Sequence, residues 1–341
     1  MSTAIFTRFV FLLILTASPI SVCQATDQPE AEQAFIQHMV KEHQFDADTV
    51  TETLAKAEKI DKILDAMDTQ AEKKAWHVYR KIFLDKQRLK GGIEFWNKNS
   101  QWLLQAQAKY GVPAEIIVAI IGVETRYGKH QGGFRVLDAL YTLAFFYPQR
   151  AEFFRKELTQ FLVLSRDEKL DPLGIMGSFA GAIGMPQFMP SSFQQYAVDF
   201  DENKTRDLMS STADTIGSVA NFLAQHGWKK GQITYTPAKT KGHKYEQAIE
   251  LGIKPQKTVL ELKKYGISPQ HKQVNNLTAT VFELQFPKKS KVYLGFNNFY
   301  VITRYNRSVH YAMAVIELSQ SLIKHRKSKR FKIKPAPEFF D

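Results

Sequence analysis

From about residue 29 to residue 110, apolar residues recur at three- and four-residue spacing among charged and polar ones. Val50-Thr51-Glu52-Thr53-Leu54-Ala55-Lys56-Ala57 and Ile60-Asp61-Lys62-Ile63-Leu64 are examples. That period places the apolar side chains on one face of a helix, so this stretch is predicted to be mostly helical. Trp76, Tyr79, Phe83, Phe95 and Trp96 fall within it. The pattern then changes. Pro113-Ala114-Glu115 opens Ile116-Ile117-Val118-Ala119-Ile120-Ile121-Gly122-Val123, which is apolar on every side. Proline at a first turn followed by an acidic residue starts a helix, and Tyr127-Gly128 is a stop. A helix with no polar face must be buried. The β-branched content would also suit a buried strand, but the length favours a helix. Residues 134–169 read as amphipathic helices interrupted near Pro148. Residues 171–192, rich in Gly and Pro, are predicted to be largely loop. Helix resumes after Pro190-Ser191-Ser192 and again from Ala213 to His226.

Beyond about residue 230 the period shortens. Ile233-Thr234-Tyr235-Thr236, Leu277-Thr278-Ala279-Thr280-Val281 and Val292-Tyr293-Leu294 alternate or carry β-formers, with Pro287-Lys288-Lys289-Ser290 as a turn between the last two. Thr258 to Tyr265 reads as a short helix ended by Gly266, and a longer helix runs from about His310 to Lys324. The predicted class is mainly α (α+β), with a small β-containing subdomain late in the chain. No internal repeat is evident.

Composition adds little to the fold and more to the partner. The 341 residues are 44% hydrophobic and carry a formal net charge of +12. A basic surface attracts polyanions, whether nucleic acid, anionic lipid or anionic wall polymer. Location chooses among them. Arg8 precedes the apolar run Phe9–Ala17, then come Pro19, small residues and Cys23-Gln24-Ala25. That order is a secretory leader cleaved after Ala25, which predicts a periplasmic protein and argues against nucleic acid as a partner. Ile20-Ser21-Val22-Cys23 is the lipoprotein alternative, weakened by Val22 where a small residue is wanted. Cys23 is the sole cysteine, so disulfides, thiolate metal sites and a cysteine nucleophile are excluded from the mature body. The strongly basic tail, Lys324 to Lys334, is either a solvated end or an electrostatic anchor to an anionic envelope surface.

Three stretches carry candidate chemistry. Glu124 ends the buried segment, in Gly122-Val123-Glu124-Thr125-Arg126-Tyr127-Gly128. An apolar setting raises a carboxyl's pKa, and a carboxyl still protonated near neutrality can donate to a glycosidic oxygen. Pairing with Arg126 is the structural alternative. The run Gly177-Ser178-Phe179-Ala180-Gly181-Ala182-Ile183-Gly184-Met185-Pro186-Gln187-Phe188-Met189-Pro190 lets a backbone approach a ligand. It holds no Lys or Arg, so it is a poor phosphate loop. Ser178 and Gln187 offer it neutral hydrogen bonds. In Thr303-Arg304-Tyr305-Asn306-Arg307-Ser308, followed by Tyr311, the Tyr and Asn side chains suit a sugar, although an ordinary strand-to-helix corner looks the same.

Together these stretches resemble the lytic transglycosylase B family of peptidoglycan-cleaving enzymes. Ile216-Gly217-Ser218-Val219-Ala220-Asn221, Gly111-Val112-Pro113 and Tyr147-Pro148 add to the resemblance, which spans about residues 30–325. It implies a lysozyme-like helical core beside a long groove, with Glu124 as acid and then base. Ser178, Gln187, Tyr79, Tyr305, Asn306 and Tyr311 would line the groove. Gln149 and Arg150 match a family pair of arginines near the glycan; the first is Gln here, and Arg150 is the one expected to bind substrate. The implied organisation is a leader over 1–25, an N-terminal helical part over 26–100 and the core over 101–230. The β-containing subdomain then takes 231–309, and a C-terminal helix with the tail takes 310–341. The partner is the peptidoglycan glycan strand, acted on by a monomer with no cofactor. The rivals are a hydrolytic muramidase and a noncatalytic wall-binding protein. Relatives can carry an EF-hand-like calcium loop, and Asp199, Asp201 and Asn203 keep its first spacing, with Asp214 able to reach in. Lys204 stands where glycine is wanted and Ser210 where glutamate is. No metal is therefore assigned, and a chelator is expected to change little.

Overall fold

The computed structural model describes residues 28–68, 74–271 and 273–326. The expected leader, Cys23 and the basic tail beyond Arg326 lie outside them. Six helices open the described chain: α1 (Gln28–His43), α2 (Ala47–Ala55), α3 (Asp61–Asp68), α4 (Trp76–Phe83), α5 (Lys86–Lys98) and α6 (Ser100–Tyr110). Asp46 and Asp85 cap α2 and α5 by accepting the N–H of Thr49 and of Arg88, at 2.9 and 2.8 Å. Each cap satisfies a donor that a helix start leaves open. The all-apolar run forms α7 (Ala114–Thr125), and every residue from Ile116 to Val123 is buried. Gln107 caps it by accepting the Ala114 N–H at 2.9 Å. A Cβ on Gly122 would lie 2.5 Å from the Tyr127 hydroxyl, so the absent side chain makes the seat for that ring.

Next come β1 (Phe134–Arg135), α8 (Val136–Phe146), a 3-10 turn at Pro148–Arg150 and α9 (Ala151–Asp167). The Gly- and Pro-rich stretch is loop apart from β2 (Met176–Gly177), which pairs with β1. Isolated bridges Gly177–Ile183 and Ile183–Phe188 fold the rest of this loop back on itself. Helix α10 (Pro190–Tyr196) starts at Pro190, and the N–H and hydroxyl of Ser191 both donate to Glu157 of α9. In α11 (Thr212–Gln225) the Ser211 side chain is the N-cap. Helices α5, α6, α11 and the later α15 (Val309–Arg326) pack around α7, which explains why it has no polar face. Among the described residues no single helix is long and apolar enough to cross a membrane.

The late strands are β3 (Tyr235–Thr240), β4 (Lys257–Thr258), β5 (Ile267–Pro269), β6 (Thr278–Gln285) and β7 (Ser290–Gly295). They form one antiparallel sheet in the order β4-β6-β7-β3-β5. The Phe286 N–H donates to Lys289 across the expected turn between β6 and β7. Successive strand residues face opposite ways. Val281, Val292 and Leu294 enter a small core with Ala248 of α12 (Tyr245–Ile249) and Val259 of α13 (Val259–Leu262). Phe282, Leu284 and Tyr293 point the other way, into the main helical core. The sheet is thus buried on both faces and fastened to the helices.

Two elements depart from the sequence expectation, the first being α8, expected to be amphipathic but buried at every residue from Val136 to Ala144. Asn297–Tyr305 is helical (α14), so Tyr305 and Asn306 lie at a helix-to-helix corner and not at a strand-to-helix one. Phe299, Val301 and Ile302 sink into the main core, and that burial decides the conformation.

The glycine-rich loop lies against the buried Leu208, whose carbonyl accepts the Met185 N–H at 2.8 Å; Gly184 sits there at φ 71°, and a Cβ on it would lie 2.3 Å from that carbonyl oxygen. Gly184→Ala is expected to destabilise the protein by about 2 kcal/mol, through backbone strain and the forced retreat of Leu208. Denaturant unfolding measures this. An unchanged midpoint would mean that the loop is not held against Leu208.

Candidate active site

Glu124 lies one residue before the end of α7. The next residues turn sharply: Arg126 and Tyr127 adopt left-handed φ of 51° and 65°, a region that costs non-glycine residues energy. Thr125 clamps this turn. Its hydroxyl donates to the Met185 carbonyl at 2.8 Å and accepts the Gly128 N–H at 3.0 Å. The glycine-rich loop is thereby tied to the helix end that presents Glu124.

The Glu124 carboxyl is only partly exposed. Oε1 accepts a hydrogen bond from the Tyr311 hydroxyl of α15 at 2.5 Å. Burial pushes the Glu124 pKa up from 4.5 to about 7, and the Tyr311 hydrogen bond pulls the other way. Burial also drives the Tyr311 pKa well above its ordinary value, helped by the Glu124 charge. The tyrosine therefore stays a neutral donor. With 2% exposure, Tyr311 meets the site through its hydroxyl and offers no open ring face.

Tyr305 stacks beside Tyr311, with ring centroids 6.3 Å apart, and its hydroxyl donates to the Pro186 carbonyl at 2.6 Å. Asn306 follows on the exposed corner. Ser178 Oγ accepts the N–H groups of Ala180 and Ala182, at 3.2 and 3.0 Å, so its own proton remains available to donate. Gln187, at φ 53°, commits its amide nitrogen to the carbonyls of Gln131 and Gly184. Its Oε1 is left as an acceptor, suited to a sugar hydroxyl or an acetamido N–H. Tyr79 packs in an aromatic group with Trp76, Phe83 and His310, next to Tyr311 in the chain. Arg150 is separate: it lies over Phe153 and Phe154 on the exposed turn before α9, and no described contact joins it to the Glu124 cluster.

Sequence reasoning missed the residues that hold this arrangement. Thr125 and the carbonyls of Met185 and Pro186 lie inside quoted motifs, but only the contact reveals their part. Gln131 has no motif signal. Its side-chain amide nitrogen donates to the carbonyls of Gly128 and Met209, while its backbone carbonyl accepts from the Gln187 side chain.

A second cluster forms in the acidic loop. Asp199, Asp201 and the buried Asp214 bring carboxylate oxygens within 4.8 Å of one another. Lys204 makes the sharp turn at φ 74° despite having a side chain. The Asp199 carboxylate accepts the backbone N–H of Asn203 and Lys204, and Oδ1 of the Asn203 side chain accepts that of Thr205. Burial raises the Asp214 pKa, with Asp201 contributing to the rise.

A helical core presenting one partly buried carboxyl near neutral pKa, amid tyrosines and neutral amide and hydroxyl groups, defines a lysozyme-like glycan-cleaving enzyme. The family model for the transglycosylase SLT domain matches residues 27–320. The membrane-bound lytic murein transglycosylase B of Escherichia coli K12 is 43% identical over 306 residues, covering 87% of this chain and 83% of the relative. The solved Escherichia coli lytic transglycosylase Slt35 in complex with calcium is 44% identical. That match covers 87% of this chain and 94% of Slt35, with a TM-score of 0.79. SltB3 of Pseudomonas aeruginosa, solved with NAG-anhNAM-pentapeptide, is 30% identical, over 87% of this chain and 80% of that one, with a TM-score of 0.74. The chain belongs to the transglycosylase SLT family, and it is a peptidoglycan lytic transglycosylase.

Proposed function

We propose that Glu124 is both the acid and the base of the reaction. The observation that carries this is the carboxyl itself, held by Tyr311 and raised by burial to a pKa of about 7, so both protonation states are accessible near neutrality. Ordinary glycosidases use a second carboxyl. Here Asp85 on the neighbouring helix cap is engaged by Arg88 and Arg126, which leaves Glu124 to work with the substrate's own groups.

In the first step the Glu124 proton passes to the oxygen linking C1 of N-acetylmuramic acid to O4 of N-acetylglucosamine. The C1–O bond breaks, and the muramic acetamido oxygen stabilises the positive C1. In the second step the Glu124 carboxylate takes the proton of the muramic C6 hydroxyl. That oxygen closes on C1, giving a 1,6-anhydro end and restoring the acid. Water is not consumed. Ser178 donates to, and Gln187 accepts from, the sugar's polar groups, while Tyr79, Tyr305 and Asn306 border the strand. Mass spectrometry of products from purified sacculi tests this: anhydro ends are expected, lighter than a hydrolytic reducing end by one water. Reducing ends alone would make the protein a muramidase.

The substrate places the enzyme in the cell envelope, in keeping with the name of its Escherichia coli relative. The leader over residues 1–25 supports the periplasmic face as the site of action.

The acidic loop fits a hard divalent cation in donor type and spacing. Asp199, Asp201 and Asp214 would hold calcium, with Asn203 beside them. The ion would brace the loop and neutralise crowded carboxylates without entering the reaction. The convergence of Asp214 with Asp199 and Asp201 supports this reading against the metal-free expectation drawn from Lys204 and Ser210. Calcium is expected to raise Tm relative to chelator, as linkage requires for a ligand of the folded state. Equal Tm values in millimolar calcium and in chelator would restore the metal-free reading.

A further inference from the structure

Two arginines stand beside the site without a role in the scheme above. Arg126 caps α7 two residues beyond Glu124, and its side chain is 37% exposed. Arg88, in the first turn of α5, is buried at 6% exposure and lies over the Phe83 ring at 5.1 Å. Phe83 in turn packs on Tyr79, with ring centroids 5.2 Å apart. The pair therefore joins the end of α7 to the aromatic group that Tyr79 belongs to.

The charge in this corner is not balanced. A single carboxylate, Asp85, faces both guanidinium groups, at 3.5 Å from Arg88 and 3.6 Å from Arg126. Both separations are long for the forked pairing that an arginine and a carboxylate prefer. Arg88 spends one nitrogen on the Ile82 carbonyl, and its buried Nε has no hydrogen-bond partner among the described residues. Arg126 is held there by a costly left-handed backbone conformation that the Thr125 clamp enforces. Arg126 thus shares its one carboxylate partner among the described residues with a buried arginine, and its side chain is partly open to solvent two residues beyond Glu124 in the chain.

The backbone of a glycan strand is neutral, and its negative charge sits on the peptides hung from muramic acid. We propose that Arg126, backed by Arg88, receives a carboxylate of the stem peptide on the muramic unit being cleaved. This inference rests on the transglycosylase reading and adds a substrate specificity to it. The planar guanidinium suits a carboxylate better than it suits a sugar hydroxyl. Arg126 becomes a specificity residue, acting on substrate binding and leaving the proton transfers to Glu124.

The test compares strands carrying native stem peptides with the same strands after amidation of their peptide carboxylates. For the full-length wild-type enzyme, amidation is expected to raise KM about tenfold, the scale of one charge-assisted hydrogen bond, with kcat little changed. Arg126→Ala should show that higher KM on native strands and no further rise on amidated ones. Arg126→Lys should recover part of the difference. A variant that loses activity equally on both substrates, with amidation still costing it as much as wild type, would show that Arg126 only braces α5 against α7. If Arg126→Ala does not fold, Arg126→Gln removes the charge with less loss of bulk, and the wild-type comparison still decides. Wild type indifferent to amidation overturns the proposal. Wild type that forms no anhydro ends overturns the reading beneath it, so the two failures are distinct.

Discussion

Glu124→Gln is expected to give a folded protein that binds glycan strands and releases no anhydro-muropeptides, with kcat lowered by at least about a thousandfold. Acid and base contributions of a positioned side chain each fall in the range of about 10² to 10⁴, and the amide supplies neither. Stability should move the other way. The folded Glu124 has a pKa near 7 against an ordinary 4.5, so the folded state holds its proton more tightly than the unfolded chain. Wild-type stability therefore declines as pH rises from about 4.5 through about 7, because the buried group must ionise. Glutamine never ionises. The variant should match wild type near pH 4 and exceed it in Tm near pH 8. Substantial anhydro product from Glu124→Gln would falsify the assignment, and a lower Tm at pH 8 would show that Glu124 is held by a favourable ionic contact. For the wild type itself, kcat/KM should fall as pH rises above about 7, where the acid form is lost.

Tyr311→Phe removes the hydroxyl that donates to Glu124 at 2.5 Å while keeping the buried ring. The ionised carboxyl loses a short hydrogen bond, so its pKa should climb further. At neutral pH the acid form then persists, but it is a weaker acid for the first step, and the carboxylate that step leaves behind is less stabilised and less well oriented. A drop in kcat of about 10- to 100-fold is expected, the scale of a hydrogen bond to a charged group. The alkaline limb of the pH profile should shift to higher pH. The profile separates this role from simple packing damage: a lower rate with an unmoved limb would mean that Tyr311 supports the fold and leaves the Glu124 proton alone.

The largest features of this molecule follow from local pattern. The run Ile116–Val123 has no polar side to turn toward water, so it could only become the helix that others surround. The alternation in Val281–Leu284 and Val292–Leu294 announced strands, and the structure shows both faces of those strands covered. Glu124 could be singled out because an acidic residue at the end of an apolar segment is unusual. The helix Asn297–Tyr305 escaped notice although Asn298, Val301, Ile302 and Tyr305 keep a helical spacing, because the segment is short and follows directly on a strand; burial of Phe299, Val301 and Ile302 against distant segments holds the conformation.

The sequence by itself determined a mainly helical chain with a late sheet, a buried central helix ending in one carboxyl, and a glycine-rich loop too poor in positive charge for phosphate. Tertiary structure decided the chemistry of that carboxyl. Tyr311 lies 187 residues from Glu124 in the chain and 2.5 Å from it in space. Asp214 likewise joins Asp199 and Asp201 only when α11 packs into place. The physical reason is the range of each interaction. Helix and strand periods report neighbours a few residues apart, which the chain order already contains. Desolvation, charge proximity and hydrogen-bond partners depend on which remote segments close over a side chain, and packing alone settles that.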